Sequence, residues 1–119
     1  MKKTILAIDD DKEILDLEKV VLTRAGYDVR TALGGSEALE MIEKFRDINL
    51  ILLDYEMDGM NGPAFLQAFE KQYPEESRSI PVIFVSAHDS PPVAMGKSFI
   101  PKLKDLDTFV RDVERFVRN

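Results

Sequence analysis

The sequence predicts an α/β protein: one five-stranded parallel sheet of strand order 2-1-3-4-5, doubly wound with helices on both faces. Three observations support this. Leu50-Ile51-Leu52-Leu53 is an apolar run too short for a helix, as expected of a strand buried on both faces of a parallel sheet. Strand-like and helix-like segments alternate along the chain, which favours right-handed crossovers into one sheet. Two such strands end in aspartate, at Asp9 and Asp54, where an open α/β sheet gathers its ligand groups.

The elements follow in order. Thr4 to Ile8 reads as the first strand and runs into Asp9-Asp10-Asp11; Ile14, Leu17, Val20, Val21 and Arg24 then follow helical spacing. An aspartate is available to cap this helix and Gly26 to end it. Tyr27 to Thr31 is rich in β-formers, and after Gly34-Gly35-Ser36 a second amphipathic helix carries Ala38, Leu39, Ile42 and Phe45. The third strand delivers Asp54 to the loop containing Gly59, Asn61, Gly62 and Pro63. A third helix, begun near Asn61 or Pro63, places Phe65, Leu66 and Phe69 on one face and is expected to stop at Tyr73-Pro74. Ser79 to Ser86 holds the fourth strand.

Between the fourth and fifth strands the pattern weakens. Pro91-Pro92 and Gly96 leave room for one or two helical turns, so the fourth helix of the doubly wound scheme is expected to be short or absent. Val93, Met95 and Phe99 are the apolar side chains available to cover the sheet there. Ser98-Phe99-Ile100 is the fifth strand, with Pro101 suited to an edge. Leu106, Phe109, Val110, Val113, Phe116 and Val117 form a closing helix, capped by Asp105 or Asp107.

With 119 residues and 45% hydrophobic content, residues 1–119 are expected to form a single domain. The net charge of -6 and pI near 4.8 argue against direct binding to nucleic acid or to an anionic membrane. The chain has no cysteine for disulfides or thiolate chemistry, and its first apolar run is too short for a signal peptide or a membrane span. A cytoplasmic location is the expectation.

Three carboxylates at one mouth repel one another unless protons or a divalent cation neutralise them. Asp9, Asp10 and Asp54 offer only oxygen ligands, which select a hard cation such as Mg²⁺. The alternative for an aspartate run before a helix is N-capping, and that reading is preferred for Asp11. Ser86 ends the fourth strand and Lys102 follows the fifth, so both are expected at the same mouth, where a hydroxyl and an ammonium suit a phosphoryl group.

At these residues the chain resembles the receiver domain of two-component response regulators, which has the flavodoxin-like fold. The resemblance rests on Ile5-Leu6-Ala7-Ile8-Asp9-Asp10-Asp11, Leu52-Leu53-Asp54 with Gly59-Met60-Asn61-Gly62, Pro81-Val82-Ile83-Phe84-Val85-Ser86-Ala87-His88, and Lys102. It implies a phosphorylation-dependent switch in which Asp54 is the phosphoacceptor, served by a sensor histidine kinase or a histidine phosphotransfer protein. By the same resemblance, Asp10 would ligate Mg²⁺ directly, Asp9 mainly through water, and the Glu56 backbone carbonyl would complete the protein ligands beside Asp54. Ser86 and Lys102 would hold phosphoryl oxygens, and Phe99 matches the aromatic switch position, though it also suits plain edge-strand packing. The domain would catalyse only its own phosphorylation and dephosphorylation.

Several positions depart from the family pattern. Asp58 and Leu103 stand where proline is common, and only 16 positions separate Ser86 from Lys102. Two other readings compete: a pseudo-receiver that binds partners without phosphorylation, and a haloacid-dehalogenase-like phosphatase using Asp9 as nucleophile and Asp11 as acid/base.

Overall fold

In the computed structural model, which describes residues 2–87, 97–102 and 105–117, five parallel strands form one sheet of order β2-β1-β3-β4-β5. The strands are β1 (Thr4–Asp9), β2 (Asp28–Leu33), β3 (Leu50–Asp54), β4 (Val82–Ser86) and β5 (Phe99–Pro101). The helices are α1 (Lys12–Arg24), α2 (Gly35–Lys44), α3 (Gly62–Gln72), α4 (Pro74–Ser79) and α5 (Leu106–Val117). The predicted sheet and its order are therefore present. The expectation of a short or absent helix between β4 and β5 concerns Ala87–Lys97, and residues 88–96 lie outside the described residues, as does Leu103.

Alternation along the strands divides the core into two apolar layers. Leu6, Ile8, Ile51, Leu53 and Phe84 pack with Ala38 and Ile42 of α2 and with Phe65, Leu66 and Phe69 of α3. On the opposite face, Ile5, Leu50, Leu52, Ile83, Val85 and Ile100 pack with Val21 and Leu22 of α1 and with Phe109 and Val113 of α5. By the same alternation Asp9 follows Ile5 and Ala7, Asp54 follows Leu50 and Leu52, and Lys102 follows Ile100. All three belong to the layer shared with α1 and α5.

Two helices differ from the sequence reading. In α1 the buried residues are Leu15, Glu18, Val21 and Leu22, whereas Leu17 is 40% and Val20 45% exposed. The buried stripe contains a carboxyl group, so apolar periodicity alone points to a neighbouring stripe. The third helix does stop at Tyr73-Pro74, with Gln72 its last residue and Tyr73 its C-cap, but a further helix absent from the sequence reading, α4, begins at once at Pro74. Proline fits a first helical turn, and Glu75 and Glu76 favour that end of the helix dipole. No residue of α4 is buried, so it has no apolar periodicity to detect.

The caps agree with the chemistry of their residues. The Asp11 carboxylate accepts from the Glu13 and Ile14 amides, and the Asn61 side chain accepts from the Ala64 amide at 2.9 Å. Of the two candidates for α5, Asp105 is the cap: it accepts from the Asp107 amide at 3.1 Å and the Thr108 hydroxyl at 2.8 Å.

Gly62 is required by close approach. A Cβ there would lie 2.8 Å from the Asp54 carbonyl oxygen and 3.0 Å from both Phe84 Cε1 and Tyr55 Cα. Its amide donates to the Tyr55 carbonyl at 3.0 Å, tying the start of α3 to the end of β3. Gly62→Ala is expected to destabilise the fold by about 1–3 kcal/mol through overpacking against backbone that cannot yield. A urea melt would check it: the midpoint should fall with the slope unchanged, and an unchanged midpoint would show that the loop can relax.

Candidate functional site

The register brings the acidic strand ends together. β1 lies between β2 and β3, and the order reverses between β1 and β3, leaving a crevice at their carboxyl ends. Asp9 and Asp54 are buried at 1% and 3% exposure, while Asp10 is exposed. One carboxylate oxygen from each of Asp9, Asp10 and Asp54 lies within 4.8 Å of the others, a spacing that could hold a metal ion.

Lys102 enters from the far side of the sheet. Its amide donates to the Ser86 carbonyl at 2.8 Å, continuing the pairing of β4 with β5 beyond Pro101. Its Nζ then lies 2.9 Å from Asp9 Oδ2 and 3.3 Å from Asp54 Oδ1. Burial alone would lower the lysine pKa, but the two aspartates outweigh it and raise the value.

One ammonium does not balance this cluster. Burial, and then repulsion from Asp9, push the Asp54 carboxyl up to about 7 despite Lys102. Asp54 Oδ2 is buried and has no hydrogen-bond partner among the described residues. Such an oxygen carries an unmet desolvation cost, which a cation or another electrophilic centre would relieve. The donor set is all oxygen and partly solvent-facing, which fits a hard divalent ion that keeps some of its water.

The loop after β3 is fastened to the same cluster. The Asp58 amide donates to Asp10 Oδ2 at 2.9 Å, and this bond is the main cause holding the Asp10 carboxyl below its ordinary range. Gly59 follows with φ of 76°, a left-handed conformation that glycine adopts without a Cβ penalty. Proline at position 58 would have no N–H to give, so the departure from the family pattern supplies a bond to a candidate metal ligand. The sequence reading missed this bond because the donor is backbone. A surface cleft beside it is lined by Asp10, Tyr55, Glu56, Met57, Asp58 and Asn61.

The other site residues are placed as follows. Ser86 is buried at the end of β4, one residue beyond Val85, which pairs with Asp54, and lies at the same end of the sheet. Glu56 is an exposed loop residue two positions past Asp54. Phe99 pairs with Phe84 and packs, half-buried, against the α2 and α3 layer. Asp11 is engaged as the α1 cap, the structural role preferred for it. Among the described residues, no helix is long and apolar enough to cross a membrane.

This constellation matches known proteins. The family model of the response regulator receiver domain matches residues 5–98, and the chain belongs to that family. YrkP, an uncharacterized transcriptional regulatory protein of Bacillus subtilis (strain 168), is 36% identical over 90 residues, covering 76% of this chain and 36% of its own. The transcriptional regulatory protein GlrR of Escherichia coli (strain K12) is 32% identical over 116 residues, covering 92% of this chain and 25% of its own. The chain thus spans well under two thirds of these curated relatives.

Among solved structures, the Vibrio cholerae chemotaxis protein CheY4 superposes with a TM-score of 0.85 at 28% identity, covering 97% of this chain and 98% of that one. The Thermotoga maritima response regulator TrrA, solved in complex with Mg²⁺-BeF, gives a TM-score of 0.79 at 26% identity, with coverage of 95% and 97%.

The charge imbalance has a pH signature. A carboxyl raised in the folded state from 3.8 to about 7 contributes stability below its ordinary value and loses that contribution as pH rises through 7. In chelator, Asp54→Asn is therefore expected to melt about 4–8 °C above the parent at pH 8, equivalent to ~1 kcal/mol for a small domain. The two melting temperatures should converge near pH 4. A variant less stable than the parent at pH 8 would contradict the imbalance.

Proposed function

We propose that residues 1–119 form a receiver domain that acts as a phosphorylation-dependent switch in a two-component phosphorelay, with Asp54 as its phosphoacceptor. The observation that carries this reading is the placement of Asp54: buried, ion-paired to Lys102 through Oδ1, and without a partner at Oδ2. A carboxylate oxygen with no donor bound to it is available as a nucleophile. It would attack phosphorus in a phosphohistidine, forming the acyl phosphate O–P bond as the P–N bond breaks and the imidazole nitrogen takes a proton. The donor would be a sensor histidine kinase or a histidine phosphotransfer protein.

Asp9, Asp10, Asp54 and the Glu56 backbone carbonyl would hold Mg²⁺. When bound, the ion would supply the positive charge that keeps Asp54 ionised and offsets charge on the phosphoryl group. Lys102 stands where its ammonium can pair with a phosphoryl oxygen, and its two present partners show that it is held toward the cluster. Ser86 would contribute its hydroxyl to another oxygen. The added charge at Asp54 would bias the arrangement of the β4 and β5 ends, with Phe99 as the aromatic that follows. The only chemistry required of the domain is its own phosphorylation and dephosphorylation. The acidic composition supports protein partners rather than direct contact of this domain with nucleic acid or membrane, and suits a cytoplasmic setting.

Acetyl phosphate with Mg²⁺ is expected to add the mass of one phosphoryl group to the intact protein and none to Asp54→Asn. Lys102→Ala should retain Mg²⁺ binding but lose about 100-fold in phosphorylation rate, because an ammonium serves the developing charge and repels the metal. Phosphorylation of Asp54→Asn would sink the assignment. Parallel loss of metal affinity and rate in Lys102→Ala would contradict the division of roles.

A further inference from the structure

Met60, in the loop between β3 and α3, is a side chain that the proposed phosphotransfer does not use. It is half-buried against the α2 and α3 layer and lies directly on Gly35, the first residue of α2. A Cβ at Gly35 would stand 2.5 Å from Met60 Sδ and 3.2 Å from its Cγ. Any residue but glycine would therefore occupy the space that the thioether fills.

The seat under Met60 belongs to a closed circuit of contacts around the acidic cluster. Gly34, the N-cap of α2 with φ of 95°, donates its amide to the Asp9 carbonyl at 3.2 Å, so the start of α2 is fastened to the end of β1. From Gly35 the path crosses to Met60 and returns through Gly59, whose φ of 76° turns the loop, to the Asp58 amide. That amide donates to Asp10 Oδ2 at 2.9 Å, one residue from where the circuit began. The base of the loop is tied separately, by the Gly62 amide on the Tyr55 carbonyl at 3.0 Å, and Met60 ties the span above it to α2. Asp10 itself is exposed and lies beyond the last residue of β1. A carboxylate in that setting samples several rotamers unless something holds it.

We propose that Met60 is a positioning residue for Asp10: its thioether, seated on Gly35, fixes the loop so that the Asp58 amide holds the Asp10 carboxylate in place for a divalent cation. The inference rests on the metal-binding reading above and adds to it a residue that touches neither the cation nor the phosphoryl group. A carboxylate that is already oriented loses less freedom on binding, so removing its support weakens the metal. Through the Gly34 bond the support acts from the end of β1, and Asp10 is thereby held relative to Asp9 as well as to the loop. Proline at position 58 would open the circuit at its last bond, whereas the aspartate here keeps it closed.

The test is Mg²⁺ affinity by calorimetry, read beside the Asp58 amide resonance in the ¹⁵N–¹H spectrum of the metal-free protein. Met60→Ala empties the seat and Gly35→Ala fills it. Because the atoms in the way belong to a flexible side chain, and alanine is a better helix former than glycine, Gly35→Ala should remain folded. Both variants are expected to bind Mg²⁺ about tenfold more weakly than the parent, with the Asp58 amide proton moved upfield as its bond to Asp10 loosens. Met60→Leu, which refills the seat with a side chain of similar volume, should keep both readings near those of the parent. The double variant Gly35→Ala/Met60→Ala should be no weaker than either single change, since both break the same contact. A lowered melting temperature with Mg²⁺ affinity and the Asp58 amide unmoved would reduce Met60 to core packing, overturning its role and leaving the metal site standing. A parent protein that binds no Mg²⁺ would overturn the metal site and this inference with it.

Discussion

The structure depends on one electrostatic constraint: two buried carboxylates, Asp9 and Asp54, share a single lysine. The parallel register leaves no escape, because β1 and β3 are neighbours and each ends in aspartate. Burial strengthens the repulsion by lowering the local dielectric, and Lys102 offsets only part of it. An uncompensated buried charge is expensive, so a cluster with more carboxylates than cations favours added positive charge. In the proposed switch, the oxygens left short of positive charge are the ones that would meet both the cation and the phosphoryl donor.

The rest of the fold serves to hold this imbalance in place. Gly62 allows α3 to start against the backbone of Asp54 and Tyr55, and the Asp58 amide fixes Asp10 from the loop between them. Lys102 reaches the cluster because its own amide extends the β4–β5 pairing past Pro101. The apolar layers on either face differ in content: the α2 and α3 layer carries three fully buried aromatic rings, Phe65, Phe69 and Phe84, while the α1 and α5 layer includes the charged groups at its upper end.

The sheet, its order, and the meeting of Asp9, Asp10, Asp54 and Lys102 were legible in the sequence because each follows from strand ends and parallel topology. Three features were not. The buried face of α1 was misplaced because Glu18 interrupts its apolar stripe, and burial of a carboxyl group depends on neighbours that a local pattern does not contain. The α4 helix has no buried face, so only its proline and first-turn acids could have revealed it. The Asp58 bond to Asp10 involves a backbone donor, and no side-chain motif records one. The segment between β4 and β5, where the sequence predicts a shortened helix and Val93 and Met95 as cover, lies outside the described residues.

The central claim is that the charge imbalance around Asp54 is what a cation and a phosphoryl group resolve together. A crystal structure with Mg²⁺ and beryllofluoride tests it most directly. Beryllium is expected on Asp54 Oδ2, with Mg²⁺ bound directly by Asp10, Asp54 and the Glu56 carbonyl and through water by Asp9, and with Lys102 Nζ moved from Asp9 onto a fluoride. Beryllofluoride absent from Asp54, or Lys102 still paired with Asp9 and Asp54 in a fully loaded site, would contradict it.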